Sequence, residues 1–331
     1  MRLGLSFVAL SLAAASCGEG SDDGDAERAA APSTTATSEV VSTTTAAPTT
    51  TAETVPEESE PVNVDAFEQR VVLFGAEELL ADALALGVEP VASSSTLGAE
   101  TGEGFTGIPD YVTTDVEVLS HPYVNFEQLA ALEPDIIVGI APIIDGHGPE
   151  LFEEIADTWV VPHDVTPEQQ VRLLGEAFGR SERAEELVAE LEAAATDAAG
   201  AAGDCDVSIA TIYAGPEIAV FVGGSWPIPW AVQTVGCELV PTPAEVSPDD
   251  VGRATISLET LGLLSAPDIV LMHIAWGDEI GALEEVTGTD VWQALPAVQT
   301  GNVHLFDRIG FRGIEGRIRA LDEMIELFGE S

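Results

Sequence analysis

Apolar positions change their spacing along this chain, and one such change occurs twice. Residues 126–138 read Phe-Glu-Gln-Leu-Ala-Ala-Leu-Glu-Pro-Asp-Ile-Ile-Val, and residues 258–271 read Leu-Glu-Thr-Leu-Gly-Leu-Leu-Ser-Ala-Pro-Asp-Ile-Val-Leu. In each, leucines at helical spacing follow a glutamate, and Pro-Asp then opens an apolar run. The pattern predicts a short amphipathic helix stopped by proline, then a buried parallel strand. One copy in each half argues for two similar α/β lobes, and the crevice between two lobes is where small ligands bind.

The same spacing rules order the rest. Arg70–Phe74 reads as a strand, Leu79–Leu86 as a helix stopped by Gly87, and Pro90–Ala92 as a short strand. Ser93–Tyr111 reads as a Gly/Ser/Thr-rich loop, Phe152–Asp157 as helical and Thr158–Val161 as a strand. Pro167 opens the longest helical stretch, broken near Gly179-Arg180-Ser181, with Ser181 placed to cap a second segment. Ser181–Ala199 would reach about 28 Å at 1.5 Å per residue, the width of a small domain, and one rigid helix between lobes restricts their opening. Val207–Tyr213 and Ile218–Val222 start the second lobe; Trp292–Val298 is a helix, Val303–Phe306 a strand and Glu315–Phe328 the closing helix. The expected division is a leader at 1–17, a tether at 18–63, an amino-terminal lobe at 64–165, the inter-lobe helix at 166–203 and a carboxy-terminal lobe at 204–331.

Composition narrows the partners. The 331 residues carry 58 acidic and 11 basic side chains, all of the basic ones arginine, for a net charge of −47. That excess argues against nucleic acid and against an anionic membrane surface. Arg2 followed by apolar Leu3–Ala15 reads as a signal peptide rather than a span. Ala14-Ala15-Ser16 before Cys17 resembles a lipoprotein box, in which the cysteine is lipidated and becomes the first residue of the mature chain. Two acyl chains suffice for stable anchoring, so the only membrane contact expected is the anchor, with the folded part outside the cytoplasm. The Ser/Thr/Ala/Pro/Glu-rich residues 18–63 lack the apolar surface to fold and read as a tether. The remaining cysteines, Cys205 and Cys237, are an even pair in an oxidising compartment, which favours a disulfide.

Taken in order, Leu79–Gly87 before Pro90-Val91, Asn125–Val138, Phe178-Gly179, Ala184–Leu191, Ser257–Leu271, Trp292–Val298 and Gly301–Val303 make the chain similar to the class III periplasmic solute-binding proteins that serve ABC importers of iron-siderophores and cobalamin. The resemblance covers nearly all of residues 68–328. It implies an α/β fold of two Rossmann-like lobes joined by one long rigid helix, with the ligand cleft between them. It further implies a monomer that passes a ferric siderophore to a permease and its ATPase. The family's docking glutamates fall on Glu127 and Glu259, one per lobe, where paired charges set orientation and on-rate.

Ligands of open α/β sheets lie beyond the carboxyl ends of the strands. The loops expected there carry His147 in the segment Pro142–Gly148, His273 and Trp276 after Met272, Trp226 in Gly223–Trp230, Tyr123 after Ser120-His121-Pro122, and Arg308, Phe311 and Arg312 after the last strand. Arginine offers a planar, permanently charged fork for carboxylate or hydroxamate oxygens, and the aromatics can pack on a chelate's face. Arg317 and Arg319 read instead as helix-surface partners of Glu315, Asp322 or Glu323. The acidic surface would repel a polyanionic chelate while Arg308 and Arg312 attract it locally, which leans toward a hydroxamate or mixed carboxylate type.

Other chemistries have weaker support. His121, His147, His273 and Asp145 permit a bare-metal reading, but no closely spaced histidine pair occurs, so no metal site is expected. Haem, through Tyr123 or Tyr213 with His273, and cobalamin are the alternative ligands. Gly223-Gly-Ser225-Trp-Pro lacks the second glycine of a nucleophile elbow, and no GxGxxG, phosphate loop or HExxH occurs. The chain is therefore expected to be no enzyme and to need no cofactor.

Overall fold

The strand Val71–Phe74 (β1) is apolar and buried at all four positions, as a central parallel strand covered on both faces must be. The computed structural model describes residues 67–96, 104–105, 107–108, 115–215, 217–273 and 278–329. The leader, Cys17, the tether and Trp276 lie outside the described residues. Beyond β1 come helix α1 (Ala76–Ala85) and strands β2 (Ala92–Ser95), β3 (Glu117–Ser120), β4 (Ile136–Ile140) and β5 (Asp157–Val161). They form a parallel sheet ordered β3-β2-β1-β4-β5, with Leu73 opposite Ser93 on one side and Val138 on the other. Helices α2 (Phe126–Ala131), α3 (Ala141–His147) and α4 (Pro149–Glu153) connect the strands. One face of the sheet packs Leu73 and Val138 against Leu79, Leu80 and Ala83 of α1. The other packs Phe74 and Ile137 against Ile144 and Phe152.

Helix α5 (Pro167–Ala177) begins with a capping box between Thr166 and Gln169, and α6 (Ser181–Ala198) follows after Gly179 turns the chain at φ 63°. Ser181 is the first helical residue rather than the cap, which falls on Arg180. The 18 residues of α6 connect the lobes: Ala184, Leu187, Val188 and Leu191 belong to the amino-terminal core, and Ala198 belongs to the carboxy-terminal one.

The second lobe contains β6 (Asp206–Tyr213), β7 (Glu217–Phe221), α7 (Pro227–Val235), β8 (Glu238–Leu239), β9 (Arg253–Ile256), a 3-10 turn (Leu258–Leu263), β10 (Asp268–His273), α8 (Asp278–Thr287), α9 (Asp290–Gln293), α10 (Pro296–Thr300), β11 (Val303–Asp307) and α11 (Gly313–Phe328). Its sheet is ordered β11-β10-β6-β7-β9, with β8 beside the start of β6. The strands β11, β10 and β6 are parallel, while β7 runs antiparallel between β6 and β9, so the second lobe is not a uniformly parallel copy of the first. A disulfide joins Cys205, just before β6, to Cys237, just after α7, with the sulfurs 2.06 Å apart.

Several boundaries differ from the sequence expectation. The second strand lies at Ala92–Ser95, not Pro90–Ala92, because Ser93, Ser94 and Ser95 are buried with their hydroxyls hydrogen-bonded inside the lobe. The half-exposed β3 was not anticipated. Helix α4 covers Pro149–Glu153 rather than 152–157, and Asp157 already belongs to β5. Residues 142–147 are no loop, since α3 begins at Ala141 directly at the end of β4 with Pro142 in its first turn. The single helix expected over Trp292–Val298 is two, divided at Pro296, which opens the second. Among the described residues, no helix is long and apolar enough to cross a membrane.

Candidate ligand-binding site

In the first sheet β1 has β2 on one side and β4 on the other, so the chain order reverses at the carboxyl end of β1 and opens a crevice there. Gly75 ends β1, its amide donating to Ser94 Oγ at 3.1 Å, and the next residues to face the crevice are acidic. Glu77 is buried. Its carboxylate accepts from Ser95 Oγ at 2.8 Å, from the Thr96 amide at 3.1 Å and from Thr96 Oγ1 at 2.7 Å. Burial pushes this carboxyl up, but the bonds from Thr96 and Ser95 and the charge of Arg312 more than offset it, and the net shift is downward. Glu78 forms an ion pair with Arg312 of the other lobe. His121, just after β3, feels both glutamates; burial holds its imidazole below the usual value against their pull, and its Nδ1 has no hydrogen-bond partner among the described residues.

One turn further along α1, Asp82 is fully buried, accepting from Gln170 Nε2 at 2.7 Å and from the Ile314 amide at 2.7 Å. It therefore receives the exposed amide end of α11. Burial pushes its carboxyl up to about 6, against those two hydrogen bonds. Arg317, one turn into α11, donates to the Ser225 carbonyl and lies 5.4 Å from the Trp230 ring centroid. Arg319 donates to the Gly310 carbonyl at 2.9 Å. Neither is the carboxylate-paired surface arginine that helix spacing suggested. Both hold the loop between β11 and α11 or the turn before α7 in place.

Residues of both lobes line a cavity of about 270 Å³, among them Glu78, Asp82, Ser225, Trp226, Phe311 and Arg317. It forms the floor of the crevice. The strand ends beside it carry Tyr213 from β6, His273 from β10 and Arg308 after β11. Arg308 places its guanidinium carbon 4.5 Å from the Tyr213 ring centroid, and its amide donates to the His273 carbonyl at 2.9 Å. Trp226 packs edge-on to Phe221 at 5.5 Å, and Phe311 tilts toward Phe306 at 6.3 Å. A larger cavity, about 640 Å³, follows the flank of α1 past Ala81, Leu84, Val88 and Ile108 to Arg319. Both cavities take residues from both lobes, but the smaller one adds Ser225, Trp226 and Phe311 from the loops that follow β7 and β11, and it marks the candidate site.

The structure thus gathers Trp226, Phe311, Arg308, Arg312 and His273 at one crevice. It places His147 elsewhere: on α3, with Nδ1 3.0 Å from the Ile143 carbonyl and the ring 6.3 Å from Phe126, on the sheet face opposite α1. Tyr123 is 73% exposed at the rim, beside a separate small cavity with Ser120 and Asn125. The Arg308 guanidinium lies over the Tyr213 ring, the group considered for haem. Sequence reasoning missed Glu77, Glu78, Asp82 and Arg317. The signal for the first two was available, since two acidic residues directly follow the first apolar strand, where the crevice of such a sheet must lie. Among the described residues no group of three or more His, Cys, Asp or Glu could hold a metal ion.

Glu127 and Glu259 are exposed in the first turns of their helices. Asn125 caps the first by accepting from the Glu127 and Gln128 amides. A hydrogen bond from Ser257 and its own amide hold the Glu259 carboxyl below the usual range. Each glutamate follows the carboxyl end of a strand, β3 or β9, so each stands on its lobe's crevice side.

Solved structures with this fold include SirA of Staphylococcus aureus, at 21% identity and a TM-score of 0.64 over 80% of this chain and 100% of that one. The siderophore periplasmic binding protein from the fuscachelin gene cluster of Thermobifida fusca matches at 24% identity and a TM-score of 0.63, over 78% and 96% of the two chains. FeuA of Bacillus subtilis, a triscatecholate siderophore binding protein, matches at 18% and 0.62, over 80% and 94%. No curated protein sequence matches the chain. The family model described as periplasmic binding protein matches residues 84–308, from α1 to the arginine stacked on Tyr213. With that match spanning both lobes and the crevice between them, the chain belongs to the periplasmic binding protein family.

Proposed function

We propose that the chain is the extracytoplasmic substrate-binding lipoprotein of an ABC importer and captures a ferric siderophore between its lobes for delivery to the permease. The observation that carries this reading is the arginine- and aromatic-rich crevice between the lobes: Arg308 on Tyr213, Arg312 reaching across to Glu78, and Trp226 and Phe311 beside them. Planar cations and aromatic faces suit the oxygen-rich, partly aromatic surface of an iron chelate. The fold supports it too, since SirA has been crystallised with staphyloferrin B and FeuA with ferri-bacillibactin. Anchoring rests on Cys17 behind Ala14-Ala15-Ser16, and docking on Glu127 and Glu259. Binding and release change no covalent bond of the ligand, so the protein acts as a receptor and not as an enzyme.

Titration of the full chain in detergent with ferric chelates, haem and cobalamin, read by tryptophan fluorescence, tests this directly. Saturable quenching by a ferric chelate at micromolar affinity or tighter is the expected result. Saturation by haem or cobalamin alone would replace the ligand, and no saturation by any of them would remove the crevice as a chelate site.

A further inference from the structure

Among the described residues, no ion pair reaches the carboxylate in the floor of the crevice. Asp82 lines the cavity with Glu78, Trp226, Phe311 and Arg317, and it is buried. Its two donors, Gln170 Nε2 and the Ile314 amide, are both neutral and both at 2.7 Å. We propose that Asp82 is a charge-selecting residue of the crevice: a proton taken up at Asp82 admits an anionic chelate to the cavity, so that anions gain affinity toward acid pH and neutral chelates do not. This rests on the ferric-chelate reading above and deepens it by naming the group that couples ligand charge to pH.

The surroundings of Asp82 leave its charge unmatched. On α1 itself Glu78 lies one turn back, and Arg312 is engaged by that glutamate. From α11, Arg317 attracts the Asp82 carboxylate but donates to the Ser225 carbonyl and lies over the Trp230 ring. From α5, Gln170 is neutral, and Glu168 acts on Arg317. Arg183 of α6 reaches the far end of α1, at the Ala85 carbonyl, and is paired with Glu186 and Glu190. Strands β1 and β2, also packed on α1, carry no titratable side chain. His121 faces Glu77 and Glu78. Gly313, at φ 66°, brings the start of α11 onto the carboxylate, where a Cβ would meet Oδ1 at 2.7 Å. A carboxylate held this way by neutral donors in a closed junction is poised to accept a proton.

Protonation changes the charge of the floor and leaves its shape. Oδ1 goes on accepting from the Ile314 amide, and a proton on Oδ2 is donated to Gln170 once that side chain turns its own oxygen inward. Ionised Asp82 repels an anion entering the cavity, and neutral Asp82 leaves Arg317 unopposed there. Linkage runs both ways: a bound anion raises the proton affinity of the carboxyl, and the proton raises the affinity for the anion by the same factor. Burial already pushes this carboxyl up to about 6, whereas Glu77 is held below the usual range and stays ionised. Affinity for an anion is therefore greatest below about pH 6, falls above it, and levels off once the complex too has lost the proton. A neutral chelate covering the same groups meets no such change.

The test is calorimetric titration of the full chain and of its Asp82→Asn variant, in detergent, at pH 5 and pH 8. The probes are ferric citrate, ferri-bacillibactin and the neutral trihydroxamate ferrichrome. Comparing two proteins with one chelate at one pH cancels the chelate's own protonation. At pH 8 Asp82→Asn should bind an anionic chelate about tenfold more tightly than the unmodified chain does, the effect of raising one proton affinity tenfold on binding. At pH 5 the two proteins should match, and with ferrichrome they should match at both pH values. A residue that merely held α11 in place would, on substitution, weaken all three chelates alike at both pH values, and that result would overturn the inference. The unmodified chain, which needs no variant to fold, should take up protons as ferric citrate or ferri-bacillibactin binds at pH 7, read from the binding enthalpy in buffers of different ionisation enthalpy. No uptake would overturn the inference, and so would uptake that Asp82→Asn leaves in full, since the proton would then belong to His121. Binding of ferrichrome alone would overturn it while leaving the ferric-chelate reading in place. Failure of all three chelates to bind would overturn that reading and the inference with it.

Discussion

Asp82→Asn should stabilise this protein at neutral pH, and the gain should vanish in acid. Asp82 is buried, and its carboxyl titrates at about 6 in the folded chain against 3.8 as a free side chain. Keeping it ionised inside the junction therefore costs about 3 kcal/mol at pH 7, at about 1.4 kcal/mol per tenfold change in proton affinity. The sign follows from proton counting. Between pH 3.8 and about 6 the folded state holds this proton more tightly than the unfolded state, so stability falls as pH rises through that window and the full penalty is present above it. Ordinary surface carboxylates give no such slope. Asparagine keeps the shape, its carbonyl can accept from the Ile314 amide, and its amide can donate to Gln170 once that side chain turns its own oxygen inward. Urea unfolding of both proteins between pH 4 and pH 8 measures the difference. A gain of about 2–3 kcal/mol at pH 7 that shrinks toward zero near pH 4 is expected. A loss at pH 7, or a difference independent of pH, would refute the reasoning: the carboxylate would then stabilise the α11 amide end by more than its burial costs.

Three further outcomes follow from named contacts. Glu127→Ala combined with Glu259→Ala should abolish uptake in cells with ligand affinity unchanged, since both side chains are exposed and apart from the crevice floor; a matching loss of affinity would end the docking role. Replacing Cys205 and Cys237 by alanine opens a loop closed across a separation of 32 residues and should cost about 3–4 kcal/mol of unfolding free energy, read by urea titration, with reductant mimicking the loss in the unmodified chain. Arg312→Ala should weaken chelate binding at least about tenfold and, since Glu78 is half exposed, lower stability by only about 1 kcal/mol. A double-mutant cycle with Glu78→Gln that shows no coupling would dissolve the cross-lobe pair.

Much of the fold was legible because the signals were strong and repeated. Val71–Phe74, Ile136–Ile140 and Asp268–His273 are apolar runs that only a doubly covered strand explains, and Pro134 and Pro267 precede two of them. What hid were elements whose burial is polar. Strand β2 is Ala-Ser-Ser-Ser, and the Ser94 and Ser95 hydroxyls bond Gly75 and Glu77, partners that no spacing rule supplies. Helix α3 hid for the opposite reason: Pro, Gly and Asp in 142–148 read as turn residues, yet Pro142 occupies the first turn, where its missing amide is harmless, and Ile143 and Ile144 bury against Phe74 and Phe152. At the site, arginines and aromatics in loops were legible as a class. Their partners were not: Tyr213 with Arg308, or Asp82 with Gln170 and Ile314, meet only through the topology.

The junction between the lobes explains why selection must rest on a preformed wall rather than on closure. Helix α6 has its start in one core and its end in the other, and α11 does the same, with Ile314 in the first core and Ala320, Leu321 and Met324 in the second. Trp230 packs on both cores. The buried Asp82 accepts from Gln170 and from the Ile314 amide and so ties the start of α11 to the first lobe. At Gly107, φ 75°, even a Cβ would collide with the Ile309 carbonyl oxygen, so the two lobes also touch backbone to backbone beside the crevice. Swinging them apart would break apolar packing, buried hydrogen bonds and the Glu78–Arg312 pair together. A ligand that reshaped this crevice would have to supply all of that energy, whereas one that matches the crevice as it stands spends its binding energy on contact. Affinity in this protein should therefore follow the complementarity of the chelate to a preformed crevice.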